Sequence, residues 1–88
     1  MQEQLSKKQL ILNALAETMK ELRGDKSQFM FASENDISIA IISTGERGLK
    51  DPQLTTIFKL AEAYNLSPEK FIAKIVANLP SDFTFTDE

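Results

Sequence analysis

Eighty-eight residues suffice for one domain with one modest core, and 42% hydrophobic with 26% charged residues is an ordinary globular balance. With no cysteine there is neither a disulfide scaffold nor a zinc finger, and with no histidine the commonest general base and metal ligand are missing. The net charge of −3 sits at one end: residues 1–79 carry ten basic and ten acidic side chains, and Asp82, Asp87 and Glu88 supply the excess.

An acidic balance weighs against tight, non-specific nucleic-acid binding, which needs Lys and Arg on phosphates, but leaves room for a local basic patch. No glycine-rich phosphate cradle, calcium loop or nucleophile elbow is present. Ser27, Ser38 and Ser67 stand where helix caps belong, and Tyr64 falls on an apolar helix face. The expectation is a protein that is not an enzyme and holds no cofactor and no metal. Met1-Gln2-Glu3-Gln4 lacks the basic and apolar regions of a signal peptide, and no apolar run approaches the roughly 20 residues of a membrane span. A cytoplasmic protein with no membrane partner is expected.

The elements read as five helices. Ser6-Lys7-Lys8-Gln9 is a capping box, with Leu5 and Leu10 as a hydrophobic staple. Leu12, Leu15, Met19 and Leu22 follow at helical spacing, and Gly24 is a stop. Ser27 opens a second helix through about Asn35, with Phe31 and Ala32 inward, and Asn35-Asp36 breaks it. Ser38 caps a third, carrying Ile39, Ala40, Ile41 and Ile42 and ending near Gly45 or Gly48. Asp51-Pro52 predicts the start of a fourth, whose apolar face is Leu54, Ile57, Phe58, Ala61 and Tyr64. Ser67-Pro68-Glu69 begins a fifth, with Leu66 and Phe71 as a second staple, and Pro80 stops it. The predicted core is Leu15, Met19, Leu22, Phe31, Ala32, Ile42, Leu54, Ile57, Ala61 and Phe71.

The fifth helix is apolar at 71/75/79 and again at 72/76, wider than one core contact requires. The surplus predicts a twofold homodimer through Ile72, Val76 and Leu79, with Phe83 and Phe85 adding to it. Residues 80–88 form a short acidic tail in which the alternation of Phe83 and Phe85 reads either as a brief strand or as a disordered end.

Two short helices around Ser33-Glu34-Asn35-Asp36-Ile37-Ser38 have the spacing of a helix-turn-helix. With Glu21-Leu22-Arg23-Gly24-Asp25-Lys26-Ser27-Gln28, Phe31-Ala32, Ile37-Ser38, Ile42-Ser43, Glu46-Arg47-Gly48, Asp51-Pro52-Gln53-Leu54 and Leu60-Ala61-Glu62-Ala63-Tyr64, the chain resembles the phage-repressor/Cro (Xre-like) family of DNA-binding domains. The match covers roughly residues 12–76. It implies an all-α, five-helix lambda-repressor-like helix-turn-helix domain over 6–79, followed by the tail.

That resemblance implies a dimeric, sequence-specific transcriptional regulator of repressor type on double-stranded operator DNA, with the third helix in the major groove. Ser38, Ile39, Ala40 and Thr44 would face the bases. Gln28 would meet a phosphate, against the plainer reading of an exposed first-turn residue. Arg47 and Lys50 would meet the backbone, against a merely solvated loop, and Lys26 extends the same basic edge. Ile39 and Ala40 depart from the Arg, Lys, Asn and Gln of direct readout, so the operator would be A·T-rich, read through thymine methyls or DNA shape.

An exposed Ile39 with Ala40 also suits a protein partner, and a rolled helix would place Ile39 in the core. The competing function is therefore a protein-interaction module on the same scaffold, an antitoxin or an inhibitor that masks a partner. Three further departures are local: Asp36 replaces the family's turn glycine, Asn35 replaces an aliphatic residue and needs a hydrogen-bond partner if buried, and Gly45 replaces a large residue.

Overall fold

Serine hydroxyls start four of the five helices. A computed structural model describes residues 5–86, with α1 at Lys7–Arg23, α2 at Gln28–Glu34, α3 at Ile39–Glu46, α4 at Leu54–Ala63 and α5 at Pro68–Ala77. Ser6, Ser27, Ser38 and Ser67 accept the amide N–H of Gln9, Met30, Ala40 and Lys70 at 3.0, 3.0, 3.1 and 3.3 Å. Each bond satisfies one of the donors that a helix start leaves open. The fold is all-helical, with no strand among the described residues.

Two sequence expectations about helix starts are corrected. Gln9 does not reach back to close a capping box; its amide donates to Asn13 Oδ1 at 2.9 Å and to the Gly48 carbonyl at 3.0 Å, anchoring the loop after α3. Asp51-Pro52 does not open α4. The N-cap is Gln53, extended at ψ 155° and without a side-chain cap, and the half-buried Pro52 belongs to the approach segment.

That later start goes with a different inward face. Leu60 and Ala61 are buried and Tyr64 closes the helix in the core, while Leu54 and Phe58 are 69% and 54% exposed. Leu54 was expected in the core and is outside it. Ile57 and Leu22 are half-buried at its edge.

α1 is the axis of the assembly. It packs on α3 and α5, α2 packs on α3, and α4 on α5. Met19, Ile42 and Phe71 are fully buried at the centre, beside Leu15, Phe31 and Ile75. Tyr64 stacks on Phe31 with ring centroids 4.9 Å apart and lies tilted against Phe71 at 5.5 Å. Gly45 is part of this packing: a Cβ added there would stand 2.7 Å from Met19 Sδ, so the missing side chain lets α3 close onto α1. A buried hydroxyl joins α5 to α1, because Thr18 Oγ1 donates to the Ala14 carbonyl and accepts from Asn78 Nδ2, both at 2.8 Å.

The turn between α2 and α3 carries the departures anticipated from sequence. Asp36 has φ 54°, a left-handed conformation that Asp tolerates better than most residues. Half-buried Asn35 finds its partner by donating from Nδ2 to the Phe31 carbonyl at 2.9 Å. After α5 the chain folds back without forming a strand. Lys7 Nζ donates to the Thr84 carbonyl at 2.6 Å and lies 5.3 Å from the centre of the Phe83 ring. Asp87 and Glu88, counted in the acidic tail, lie outside the described residues.

The two leucines of α4 separate the observed core from the one expected. Leu60→Ala should lower unfolding free energy by about 2–5 kcal/mol, as truncation of a buried Leu does. Leu54→Ala should change it by less than about half a kcal/mol. Urea unfolding of both variants measures this, and equal losses would mean that α4 is rotated from the face described.

Candidate functional site

The α2–α3 pair is held from behind by one carboxylate. The Glu46 side chain, at the C-terminal end of α3, is 3% exposed. Arg23, the last residue of α1, donates from Nε to Glu46 Oε2 at 2.7 Å and from Nη2 to Oε1 at 2.8 Å. Gln28, the first residue of α2, adds a third bond from Nε2 to Oε1 at 2.9 Å. A third nitrogen of Arg23, Nη1, donates to the Lys26 carbonyl. Three helix ends therefore meet at one ion pair in bidentate geometry.

Burial opposes the charge on Glu46, but hydrogen bonds from Arg23 and Gln28, with the Arg23 and Lys20 charges, outweigh it and hold the carboxyl below its ordinary range. Burial, and secondarily Glu46, pushes the neighbouring Tyr64 phenol above its usual value, so it stays neutral.

This arrangement revises the reading of Gln28. It is half-buried and engaged by Glu46, neither a plain exposed residue nor one whose whole amide faces outward. Its second N–H and its carbonyl remain available. Sequence reasoning missed the Arg23–Glu46 pair altogether; the signal was a Glu closing a helix with no other charged residue.

The front of α3 is open. Ser38, Ile39 and Ala40 are exposed, Ile39 at 47%, which removes the reading of Ile39 as core. Thr44 is half-buried, and its hydroxyl donates back to the Ala40 carbonyl at 2.7 Å, leaving it only acceptor capacity outward. Arg47 is exposed and reaches Ser43 Oγ at 3.4 Å. Lys50 is exposed on the loop that Gln9 anchors through Gly48. Lys26 is ion-paired with Glu34, so the basic edge expected from Lys26, Arg47 and Lys50 reduces to the latter two. Large apolar side chains flank the same helices: Phe29 on α2 is 70% exposed and Leu49 after α3 is 60% exposed.

A second surface lies along α5. Ile72 and Val76 are 42% and 57% exposed one turn apart, Leu79 and Phe83 are half-buried, and Phe85 is 62% exposed. Val76, Leu79, Pro80 and Phe83 line a groove of about 320 Å³ between α5 and the returning chain. Among the described residues no group of three or more Asp or Glu is placed to hold a metal ion, and no helix is long and apolar enough to cross a membrane. No protein-family model, no characterised protein and no solved structure matches the chain.

The clasp yields an asymmetric prediction. Arg23→Ala strands a buried carboxylate and should cost about 3–5 kcal/mol. Glu46→Gln should cost less, because the Arg23 side chain, 18% exposed, can turn to water. A carboxyl whose pKa folding depresses adds stability above its unfolded pKa of about 4.3, and that stability is lost as the pH falls through the folded value. Urea unfolding from pH 7 to pH 3 should therefore show a steeper acid loss in the parent than in Glu46→Gln. Parallel pH curves would overturn the role given to this pair.

Proposed function

We propose that the chain is a sequence-specific DNA-binding regulator of repressor type, acting as a dimer in the cytoplasm, with no catalytic activity of its own and a lambda-repressor-like helix-turn-helix as its reading unit. The observation that carries this reading is the open N-terminal end of α3, Ser38-Ile39-Ala40, on a helix clasped from behind by Arg23, Glu46 and Gln28. A reading helix has to present one rigid end to the groove. The resemblance of the ordered motifs to the phage-repressor/Cro family supports the same role.

Arg47 and Lys50, both exposed, are suited to phosphates, and the free N–H of Gln28 can reach a third. Ile39 and Ala40 offer only apolar contact to the bases, which favours A·T-rich operators. The α5 face, with Ile72 and Val76 bare, is suited to the twofold contact that an operator with two half-sites requires.

One specific observation favours a second reading, a protein-interaction module. Phe29, Ile39 and Leu49 are 70%, 47% and 60% exposed on and beside the same two helices, and such side chains suit a protein surface better than a phosphate backbone.

Electrophoretic shifts with DNA from immediately upstream of the chain's own gene, over a salt series, test the regulator. Arg47→Ala and Lys50→Ala should each weaken binding to all sequences and lower the salt slope by roughly one. Ile39→Ala should instead relax preference at one A·T position. No shift on any DNA at low salt refutes the regulator, and loss of a captured protein in Ile39→Asp would then support the module. Sedimentation equilibrium at tens of micromolar should show a dimer that Val76→Glu dissociates; a 9.9 kDa species alone would refute the α5 interface.

A further inference from the structure

The outward face of α4 is left bare by the packing of the five helices. Leu54 and Phe58, one turn apart, are 69% and 54% exposed, while Leu60 and Ala61 hold the helix to the core. Two large apolar side chains side by side on a helix surface mark a contact with something outside the fold. Next to them Phe58, Lys59, Glu62, Leu66 and Pro68 line an open groove of about 540 Å³, which shares no lining residue with the groove along α5.

Lys59 and Glu62 decide the occupant. They stand three residues apart at the same groove, and neither forms an ion pair among the described residues. One charge of each sign, in fixed order along a helix, is complementary to the same sequence run in the opposite direction. A twofold axis level with the middle of the Lys59–Glu62 span sets each Lys59 opposite the Glu62 of the other copy, twice over. At 1.5 Å of rise per residue, the same axis puts Leu54 about 10 Å from the midpoint, toward the Leu66–Pro68 end of the groove on the other copy. Apolar side chains and opposite charges are thus matched in one register. A purely acidic surface would satisfy Lys59 and face Glu62 with a like charge, and a basic one would do the converse.

We propose that α4 docks on the α4 of a second copy of this chain, antiparallel about a twofold axis, with Leu54 and Phe58 as its apolar centre and two Lys59–Glu62 pairs fixing the register. Exposed ion pairs contribute little affinity, so the pairs select the partner and the apolar side chains hold it. A patch centred on two large side chains falls short of the roughly 800 Å² per partner of a stable interface, so the contact is weak, on the order of hundreds of micromolar. Joined to the twofold contact along α5, and in this clause resting on that reading, it ties dimers into tetramers.

Sedimentation equilibrium of the full chain from tens of micromolar to about 1 mM tests the contact, with Val76→Glu as the background that removes α5 from the measurement. That variant should pass from monomer to dimer across the range. Lys59→Glu or Glu62→Lys added to it should weaken the dimer about tenfold or more, because two attractive pairs become two repulsive ones. Both changes in one chain should restore association. So should a mixture of the two singly changed chains, since one then carries two anions and the other two cations at matching places. Phe58→Ser should abolish the dimer while leaving urea stability unchanged, because the residue is exposed.

A Val76→Glu chain that stays monomeric throughout would overturn the interface, and so would failure of the double variant or of the mixture to restore association. A parent dimer that Phe58→Ser dissociates and Val76→Glu leaves intact would refute the α5 contact and keep this one. None of these readouts involves DNA, so they stand apart from the fate of the regulator reading.

Discussion

The Arg23–Glu46 ion pair is the constraint on which the arrangement of the first three helices depends. It lies where α1 ends, α2 begins and α3 ends, and its three side-chain hydrogen bonds of 2.7–2.9 Å leave little freedom to any of them. α2 has seven residues and α3 eight, each too short to be stable alone. Their geometry is set by tertiary contacts, and the buried carboxylate is a directional one among them, beside the Gln9 amide on the Gly48 carbonyl. An apolar triad of similar volume would pack as well or better. What it would lack is the fixed angle of a bidentate pair, which orients α3 relative to α1 as non-directional packing cannot.

With its back fixed, α3 turns an unusual front to solvent. Ile39 and Ala40 carry no hydrogen-bonding capacity, and the Thr44 hydroxyl donates inward. Two exposed cations, Arg47 and Lys50, follow its C-terminal end. In the proposed role, affinity would come mostly from these two and from dimerisation, and sequence preference from shape and methyl contact. The same bare apolar surface explains why a protein partner is the serious rival.

Much of the fold was legible because its signals are local. Each of the four serine caps works within three residues of its own position, and Gly24 and Pro80 punctuate at fixed offsets. What was not legible depends on long-range pairing. Arg23 and Glu46 are 23 residues apart, and nothing in either neighbourhood announces the other. The rotation of α4 was misjudged because Leu54 and Phe58 continue an apolar spacing that Ile57, Leu60, Ala61 and Tyr64 also satisfy. Periodicity cannot say which of two overlapping stripes turns inward. Of the candidate site, the exposed end of α3 was foreseen and the carboxylate behind it was not.

The contact between Lys7 and Thr84 has a topological consequence. The first turn of α1 and the segment after α5 lie side by side, joined by a hydrogen bond and by the Lys7 ammonium near the Phe83 ring. A polypeptide whose entry and exit points are neighbours can be spliced into a surface loop of another protein without being pulled open, or re-joined end to end and cut elsewhere. The fold is in that sense a portable cassette.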